Sequence, residues 1–296
     1  MIVDAHVHLW DAAHTPQPWM TSEHASIARP FDPIDLQPLL QRNGIDAVVL
    51  VQGACLDTDT DYMLSEAARH DSIAAVTAWL VLDDPQRARV RLDELGAHRA
   101  FRAVRHLIHN EADPHWILRP AVLESLALLE ERDVVLELPV VFPRHLADVP
   151  VLAQRFPDLL IVIDHLGKPP IGREEMTTWQ RELRSAAAFP NVHAKLSGLN
   201  TATARRDWQV EDLLPACRAA LNAFGPQRLM CGSDWPVLLL NGDYDRVWDA
   251  TTRIVEAIAG RDASDLLGKN AARVYRFTST EATTTSPARR DAWQHR

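Results

Sequence analysis

The amino-acid sequence predicts an α/β protein with a single domain, a (β/α)8 or TIM barrel. The chain has 296 residues, its apolar runs are short and nearly continuous, and each is followed by a segment with helical periodicity. Strands of a parallel sheet have this apolar character because helices cover both faces of the sheet. Eight such repeats suit a barrel, which commonly forms one domain of about 250 residues. A doubly wound open sheet is the main alternative.

The predicted strands and helices alternate along the whole chain. The strands are expected at the opening "MIVDAHVHL" and at the runs "IDAVVLVQ", "IAAVTAWLVL", "FRAVRH", "VVLELPVV", "LLIVIDH", "VHAKLSG" and "RLMCGSDW". Helical periodicity predicts helices near residues 35–44, 60–70, 85–97, 117–132, 144–156, 173–188, 210–224 and 243–259. Asn43–Gly44 is a suitable end for the first helix, since glycine often follows a helix C-terminus.

Two segments lie outside this alternation. Residues 11–34 are rich in proline, contain Trp19 and show no helical period, so we predict a functional lid or binding loop. The last segment, "STEATTTSPARRDAWQHR", lacks apolar periodicity and is expected to pack poorly. The sequence therefore predicts a barrel over residues 1–277 and a tail over residues 278–296.

Composition limits the partners that the protein is expected to have. The formal net charge of −9 gives no field that attracts nucleic acid or an anionic membrane surface. The three cysteines are widely spaced, which favours a reducing compartment over a disulfide scaffold. No apolar run approaches the roughly 20 residues of a membrane span. We expect a cytoplasmic protein with a small-molecule partner; the sequence does not indicate its oligomeric state.

Polar residues end several of the predicted strands. In a barrel, the active site forms where the carboxyl ends of the strands meet. The candidates there are His6, His8, Arg105, His106, Asp164, His165, Lys195, Ser233 and Asp234. Glu137 lies inside the fifth predicted strand, where we expect a buried ion pair with an arginine.

His6 and His8 are the first candidates for chemistry. Side chains two residues apart on a strand point to the same face, so both imidazoles can reach one atom. Converging neutral imidazoles can hold a divalent ion such as zinc or polarise a carbonyl group. A lone histidine at a strand end is more often a satisfied polar group. The matching positions of His165 and Asp234 on later strands favour a site.

Five further residues are candidates for contact with a substrate. Arg105 offers guanidinium donors that match carboxylate or hydroxyl oxygens. His106 is expected either to contact substrate or to form a structural ion pair, and Lys195 either to contact substrate or to donate within the scaffold. Trp19 and Trp235 near the mouth are suited to the face of a sugar or lactone, with simple packing as the alternative.

Several motifs, taken in chain order, resemble those of a known enzyme group. The segments "VDAHVHLWD", "FRAVRH", "IDHLGKP", "AKLSGL" and "MCGSDWPV" resemble the amidohydrolase superfamily. More narrowly they resemble its amidohydrolase-2 branch of muconolactone hydrolases and sugar lactonases of the L-fuconolactonase and L-rhamnonolactonase type. The resemblance runs from about residue 1 to residue 277, and "DHLGKP" followed by "GSDWP" is its most specific part. "HLWD" with the downstream "PW" is similar to the sugar lactonases.

The resemblance implies roles for individual residues. By matching motif, His6 and His8 correspond to the ligand pair of the first strand, His165 to the histidine of the sixth and Asp234 to the carboxylate of the eighth. On the fourth strand "AVRHL" stands where the two-metal members carry a bridging lysine. The branch works with one weakly held, zinc-like metal ion or with none, so these four residues are the expected ligands of any metal.

The expected reaction is hydrolysis of an L-fucono-, L-galactono- or L-rhamnono-lactone. Asp234 is expected to take a proton from the water that attacks the lactone carbonyl, while the three histidines, with or without a metal, orient the water or polarise the carbonyl oxygen. A muconolactone-type hydrolase and a metal-dependent decarboxylase of the same superfamily are the enzymatic alternatives. A non-catalytic binding barrel is the third.

Overall fold

The computed structural model describes residues 1–11, 15–203 and 205–278. Its eight strands form one parallel sheet in which each strand pairs with the next along the chain. The strands are β1 Val3–Val7, β2 Ala47–Val51, β3 Ile73–Trp79, β4 Phe101–Arg105, β5 Val135–Leu138, β6 Ile161–Ile163, β7 Val192–Leu196 and β8 Leu229–Cys231. All eight predicted strands are present.

The sheet nearly closes into a barrel between β8 and β1. The backbone N–H of Asp234 donates to the carbonyl of His6 at 2.9 Å, and the N–H of His8 donates to the carbonyl of Trp235 at 2.7 Å. These bonds join the segment after β8 to the first strand. The single-domain (β/α)8 barrel predicted from the sequence is therefore confirmed, and the open sheet is excluded.

Helices surround the sheet in the predicted order. They are α1 Pro33–Asn43, α2 Asp57–Ala67, α3 Pro85–Leu95, α4 Pro120–Glu131, α5 Val149–Arg155, α6 Met176–Ala187, α7 Leu199–Ala202, α8 Val210–Phe224, α9 Tyr244–Ala259 and α10 Asn270–Val274. The short helices α7 and α10 were not predicted. Among the described residues, no helix combines the length and apolar character that a membrane span requires.

Local sequence explains how the first helix begins and ends. The Asp32 carboxylate accepts hydrogen bonds from the backbone N–H groups of Ile34 and Asp35, which have no partner within the helix, and Pro33 occupies the first turn. Gly44 ends the helix in the left-handed conformation, with φ of 64°, as the Asn43–Gly44 signal predicts.

The interior of the barrel is apolar at the amino ends of the strands. We call this layer the barrel floor; it consists of the buried residues Val3, Ala5, Ala47, Val49, Ala75, Ala103, Val135, Val162, Ala271, Val274, Tyr275 and Phe277. Val51 and Met230 belong to the same apolar cluster but lie one level higher, in register with Thr77 and Lys195. The strand residues are mostly alanine and valine, and α10 with the residues after it supplies the large side chains that fill the remaining space. The chain end that the structure describes therefore closes the barrel from below.

The predicted lid and tail have different outcomes. The segment that includes Trp19 contains a 3-10 helix at Ser22–Ile27, and an isolated bridge between Trp10 and Phe31 ties its two ends together. The tail was expected to pack poorly. Its residues from 279 onward lie outside the described part of the chain, so this expectation stays a prediction.

Candidate active site

The first strand places two imidazoles side by side. His6 Nε2 and His8 Nε2 lie 3.2 Å apart, and both residues are buried. His8 Nδ1 lies 2.7 Å from the carbonyl oxygen of Val51. Because a carbonyl only accepts hydrogen bonds, His8 carries its proton on Nδ1 when neutral, and its Nε2 offers a lone pair.

Asp234 brings three imidazoles together. Its Oδ1 lies 3.7 Å from His6 Nε2, 3.4 Å from His8 Nε2 and 3.8 Å from His165 Nε2. Its Oδ2 is buried. The structure thus brings together the four residues that the sequence singled out, and Asp234 Oδ2 has no hydrogen-bond partner among the described residues.

A left-handed turn aims His165 into the site. His165, Leu166, Gly167 and Lys168, which follow β6 after one intervening residue, have φ of 52°, 54°, 71° and 55°. Non-glycine residues rarely adopt this conformation, and it persists only where the surroundings impose it, often at functional sites. His165 Nδ1 lies 2.9 Å from the hydroxyl of Ser197, which holds the ring in place.

Gly198 allows the close approach of the catalytic candidates. A Cβ at this position would lie 2.7 Å from His165 Nδ1 and 2.8 Å from Asp234 Oδ2, and the residue has φ of 59°. Both the space and the backbone conformation therefore require glycine. The motif "AKLSGL" contained this signal, but the sequence reasoning assigned no role to Ser197 or Gly198.

The donor set fits a metal ion. His6, His8 and Asp234 form one group whose ligand atoms lie close together, and His6, Asp164 and His165 form a second. Two ligand atoms about 2.1 Å from one tetrahedral ion lie about 3.4 Å apart, and the three distances in the first group are 3.2, 3.4 and 3.7 Å. The outer nitrogen of His8 is already bound to a carbonyl, which is the usual support of a metal-binding histidine.

Burial sets the charge of the site. It lowers the pKa of His6 and of His165 well below the ordinary value of 6.5, so both imidazoles are neutral near pH 7. Burial alone raises the pKa of Asp234, but His165 and His8 outweigh it and hold this pKa below the ordinary 3.8. The site therefore combines an ionised carboxylate with neutral nitrogen donors.

A buried ion network lies next to His6. Lys195 Nζ contacts Glu137 Oε2 at 2.5 Å, His6 Nδ1 at 3.2 Å and Asp164 Oδ1 at 3.5 Å. Glu137 therefore pairs with a lysine, and the expected pairing with an arginine is wrong: Arg105 pairs with Asp164 at 2.8 Å instead. Lys195 has no exposed surface, and it donates to neighbouring side chains as in the second of its two expected roles. Contact between Lys195 and a substrate stays a prediction.

Two other predicted substrate contacts have partners within the protein. The guanidinium of Arg105 also donates to the carbonyl of Gln52 at 2.9 Å, and the residue is 4% exposed. His106 Nε2 lies 2.8 Å from a Glu111 carboxylate oxygen, so the structural ion pair that the sequence left open is present. The His106 ring stacks on Trp116 at a centroid distance of 4.2 Å.

The predicted tryptophans differ in position. Trp19 is half-buried, and its indole N–H donates to the carbonyl of Gly53 at 2.8 Å, which anchors the predicted lid to the loop after β2. Trp235 is buried against Phe31 with its ring edge-to-face at 5.2 Å. Trp79 ends β3, is partly exposed and donates to His106 Nδ1 at 3.2 Å. Trp79 was not among the residues that the sequence singled out, although it ends a strand.

Comparison with known proteins places the chain in a family. The amidohydrolase model Amidohydro_2 matches residues 3–277. Two proteins named L-fucono-1,5-lactonase are each 36% identical to this chain: the one from Burkholderia ambifaria over 93% of this chain and 95% of its own, and the one from Burkholderia multivorans over 92% and 95%. The crystal structure of a Burkholderia multivorans amidohydrolase with bound zinc has a TM-score of 0.86 and 34% identity, and it covers 94% of this chain and 100% of that one.

Proposed function

The chain belongs to the amidohydrolase family, and from this premise we propose that it opens a sugar lactone of the L-fucono-1,5-lactone type to the aldonic acid. The observation that carries the proposal is the convergence of His6, His8 and His165 on one oxygen of Asp234 at the carboxyl end of the barrel. The identity of 36% to two L-fucono-1,5-lactonases supports the sugar lactone as substrate.

We propose that one zinc-like ion is the cofactor, held by His6, His8 and Asp234 with His165 beside them. When bound, such an ion lowers the pKa of a coordinated water to about 7 and polarises a carbonyl oxygen. The neutral imidazoles and the short distances among the donor atoms support this assignment, and the zinc in the Burkholderia multivorans structure is consistent with it.

Asp234 acts as the general base through its free oxygen. Oδ2 accepts a proton from the attacking water while Oδ1 faces the three imidazoles. The lowered pKa of Asp234 keeps it ionised at neutral pH, but it also makes the carboxylate a weak base. The water must therefore be acidified, which is why the proposal includes a metal ion.

The proton then moves to the leaving group. The water oxygen forms a bond to the lactone carbonyl carbon, the bond between that carbon and the ring oxygen breaks, and Asp234 Oδ2 returns its proton to the ring oxygen. The product carries a new carboxyl group, which releases a proton to solvent near pH 7. Each turnover thus acidifies the solution.

Residues around the mouth are proposed to hold the sugar. Trp19 on its anchored loop covers the apolar face of the ring, with Trp235 packed against Phe31 of the same loop, and Arg105 and His106 lie at the end of β4. We propose that the barrel over residues 1–277 contains every group needed for the reaction, and that the protein acts in the cytoplasm without nucleic acid or a membrane.

The test is a pH-indicator assay of the purified protein with freshly prepared lactones. The panel contains L-fucono-, L-galactono- and L-rhamnono-lactones as 1,4- and 1,5-forms, a muconolactone and an aromatic carboxylic acid. We expect rapid acid release with at least one L-sugar lactone, and its loss after treatment with a chelator. Acid release from the muconolactone alone, or carbon dioxide from the aromatic acid, contradicts the proposal.

A further inference from the structure

The hydrogen-bond partners of His8 fix the proton on His6. Since His8 Nδ1–H donates to Val51, the lone pair of His8 Nε2 faces His6 Nε2 at 3.2 Å. Two lone pairs do not attract each other, so without a metal ion this contact requires the proton on His6 Nε2, which then donates to His8. His6 Nδ1 then has the lone pair, and it accepts from the Lys195 ammonium at 3.2 Å.

The structure also contains the partners for the opposite arrangement. Asp164 Oδ1 lies 3.4 Å from the same His6 Nδ1 and 3.5 Å from Lys195 Nζ, and it is fully buried. A carboxylate oxygen can only accept, so it matches a proton on Nδ1. In that arrangement His6 Nε2 has the lone pair, and the number of protons on the ring is unchanged.

We propose that His6 exchanges between these two tautomers, and that Lys195 competes with a divalent metal ion for the ring. Lys195 stabilises the form with the proton on Nε2, which cannot bind a metal through that atom. Asp164 stabilises the form with the proton on Nδ1, which can. Lys195 is therefore a positioning residue that keeps the site ordered without metal and weakens metal binding. The proposal rests on the metal site proposed above but not on the identity of the substrate.

The position of Lys195 explains why it cannot simply move away. Its ammonium is held by Glu137 at 2.5 Å, and Glu137 accepts in turn from Thr77 at 2.5 Å and from Tyr275 at 2.6 Å. All of these groups are buried in the barrel interior. A fixed positive charge next to His6 also repels an incoming cation, so the charge and the hydrogen bond of Lys195 both oppose metal binding.

The first test measures zinc affinity by competition with a chromophoric chelator. The double variant Lys195→Met with Glu137→Gln removes the ammonium without leaving a buried unpaired carboxylate. We expect it to bind zinc about tenfold more tightly than the wild type, and Asp164→Asn about tenfold more weakly, since outer contacts of a metal-binding histidine have effects of this size. Unchanged or weaker binding in a folded double variant overturns the proposal.

The second test reads the tautomers directly in the wild-type protein. Nitrogen-15 NMR of labelled histidines, with His6 assigned from the spectrum of His6→Gln, distinguishes a protonated Nε2 from a protonated Nδ1. We expect the proton on Nε2 without metal and on Nδ1 after addition of zinc. A proton on Nδ1 in the metal-free wild type contradicts the proposal even if the double variant does not fold. Neither test uses a lactone, so failure of the lactonase assay leaves the result interpretable.

Discussion

The two ends of the barrel interior have different chemistry although the same strands build both. On four strands, β3 to β6, a small apolar residue of the floor is followed two positions later by a polar one: Ala75 by Thr77, Ala103 by Arg105, Val135 by Glu137 and Val162 by Asp164. Two residues along a strand correspond to about 6.6 Å. The floor is packed like any core, while the layer above it consists of buried charges and hydrogen bonds.

This difference separates stability from catalysis within a short distance. Apolar packing in the floor contributes to the free energy of unfolding, and α10 with its neighbours supplies the large side chains. Buried ion pairs such as Lys195 with Glu137 are weak evidence for stability, because their desolvation offsets their attraction. Substitutions at the mouth should therefore change turnover most, and substitutions in the floor should change stability most.

The largest expected effect is that of Asp234→Asn at the mouth. The amide keeps the shape of the side chain but cannot take a proton, so we expect kcat to fall by about 10² to 10⁴-fold, the usual contribution of a general base. Thermal unfolding should shift little by comparison. Lactone turnover near the wild-type rate in a folded Asp234→Asn protein, checked by circular dichroism, would show that another group is the base.

Phe277→Ala makes the converse change in the floor. Phe277 is buried among the apolar residues that close the barrel, so its removal should lower the free energy of unfolding by about 3–5 kcal/mol. The kcat of the protein that remains folded should stay close to the wild-type value. Urea denaturation gives the first quantity and active-site-normalised kinetics the second. A large loss of kcat in Phe277→Ala without a loss of stability would contradict the assignment of stability to the floor and of turnover to the layer above it.

Two glycines with similar backbone conformations sharpen the comparison. Gly198 and Gly44 have φ of 59° and 64°, but a Cβ on Gly198 would press on His165 and Asp234, whereas one on Gly44 meets nothing within 4 Å. Gly44→Ala should lose about 1 kcal/mol of stability through its backbone conformation alone, and Gly198→Ala should lose more because its Cβ also displaces neighbouring side chains. Only Gly198→Ala should also lose at least about tenfold in kcat, since small misplacements at a reacting centre are costly. Equal kinetics for the two variants would contradict the close packing of the site.

The pH profile of turnover follows from the pKa of Asp234. A general base works when deprotonated, and the folded-state pKa of Asp234 lies below 3.8, so the rate falls only as the pH drops below that value. Because the pKa of Asp234 is lower in the folded than in the unfolded state, its ionised form stabilises the folded state above pH 3.8. This contribution is lost as the pH falls through the lower folded-state pKa. We expect kcat/KM to be flat from about pH 5 to 7. An acid limb centred within that range would assign the base to a different group.

Trp19→Ala should have the smallest effect. Trp19 lies on the loop over the mouth and is anchored by Gly53, so its removal should raise KM by roughly tenfold or less through lost contact with the sugar, an effect of about 1 kcal/mol. Trp19→Phe keeps most of the ring and should recover part of the affinity. Unchanged KM and kcat in the alanine variant would show that the loop containing Trp19 does not contact the substrate.

The sequence predicted the barrel well because its pattern is local. Each strand and each long helix is visible as a run or a period of neighbouring residues, and the strand ends indicated which polar residues meet. The position of His6 is less simple than the sequence suggested. Ala5 faces the floor, and the pairing of β1 with β2 shifts register between Asp4 and Val7, so strict alternation alone does not place His6 in the interior.

Other parts of the site depend on distant residues. The pairing of Lys195 with Glu137 joins β7 to β5, and Tyr275 reaches the same carboxylate from the end of the described chain. No local pattern indicates such contacts. The left-handed conformation of residues 165–168 is also not visible in the sequence, because Gly167 is the one residue of the four whose type favours it.

The central claim is that Asp234 activates water and does not itself attack the lactone. The most direct measurement is repeated turnover of L-fucono-1,5-lactone in water enriched in oxygen-18, followed by mass spectrometry of the product and of the peptide that contains Asp234. A general base predicts label in the carboxylate of the product and none in Asp234. Label accumulating in the Asp234 carboxylate would establish a covalent acyl intermediate and contradict the account.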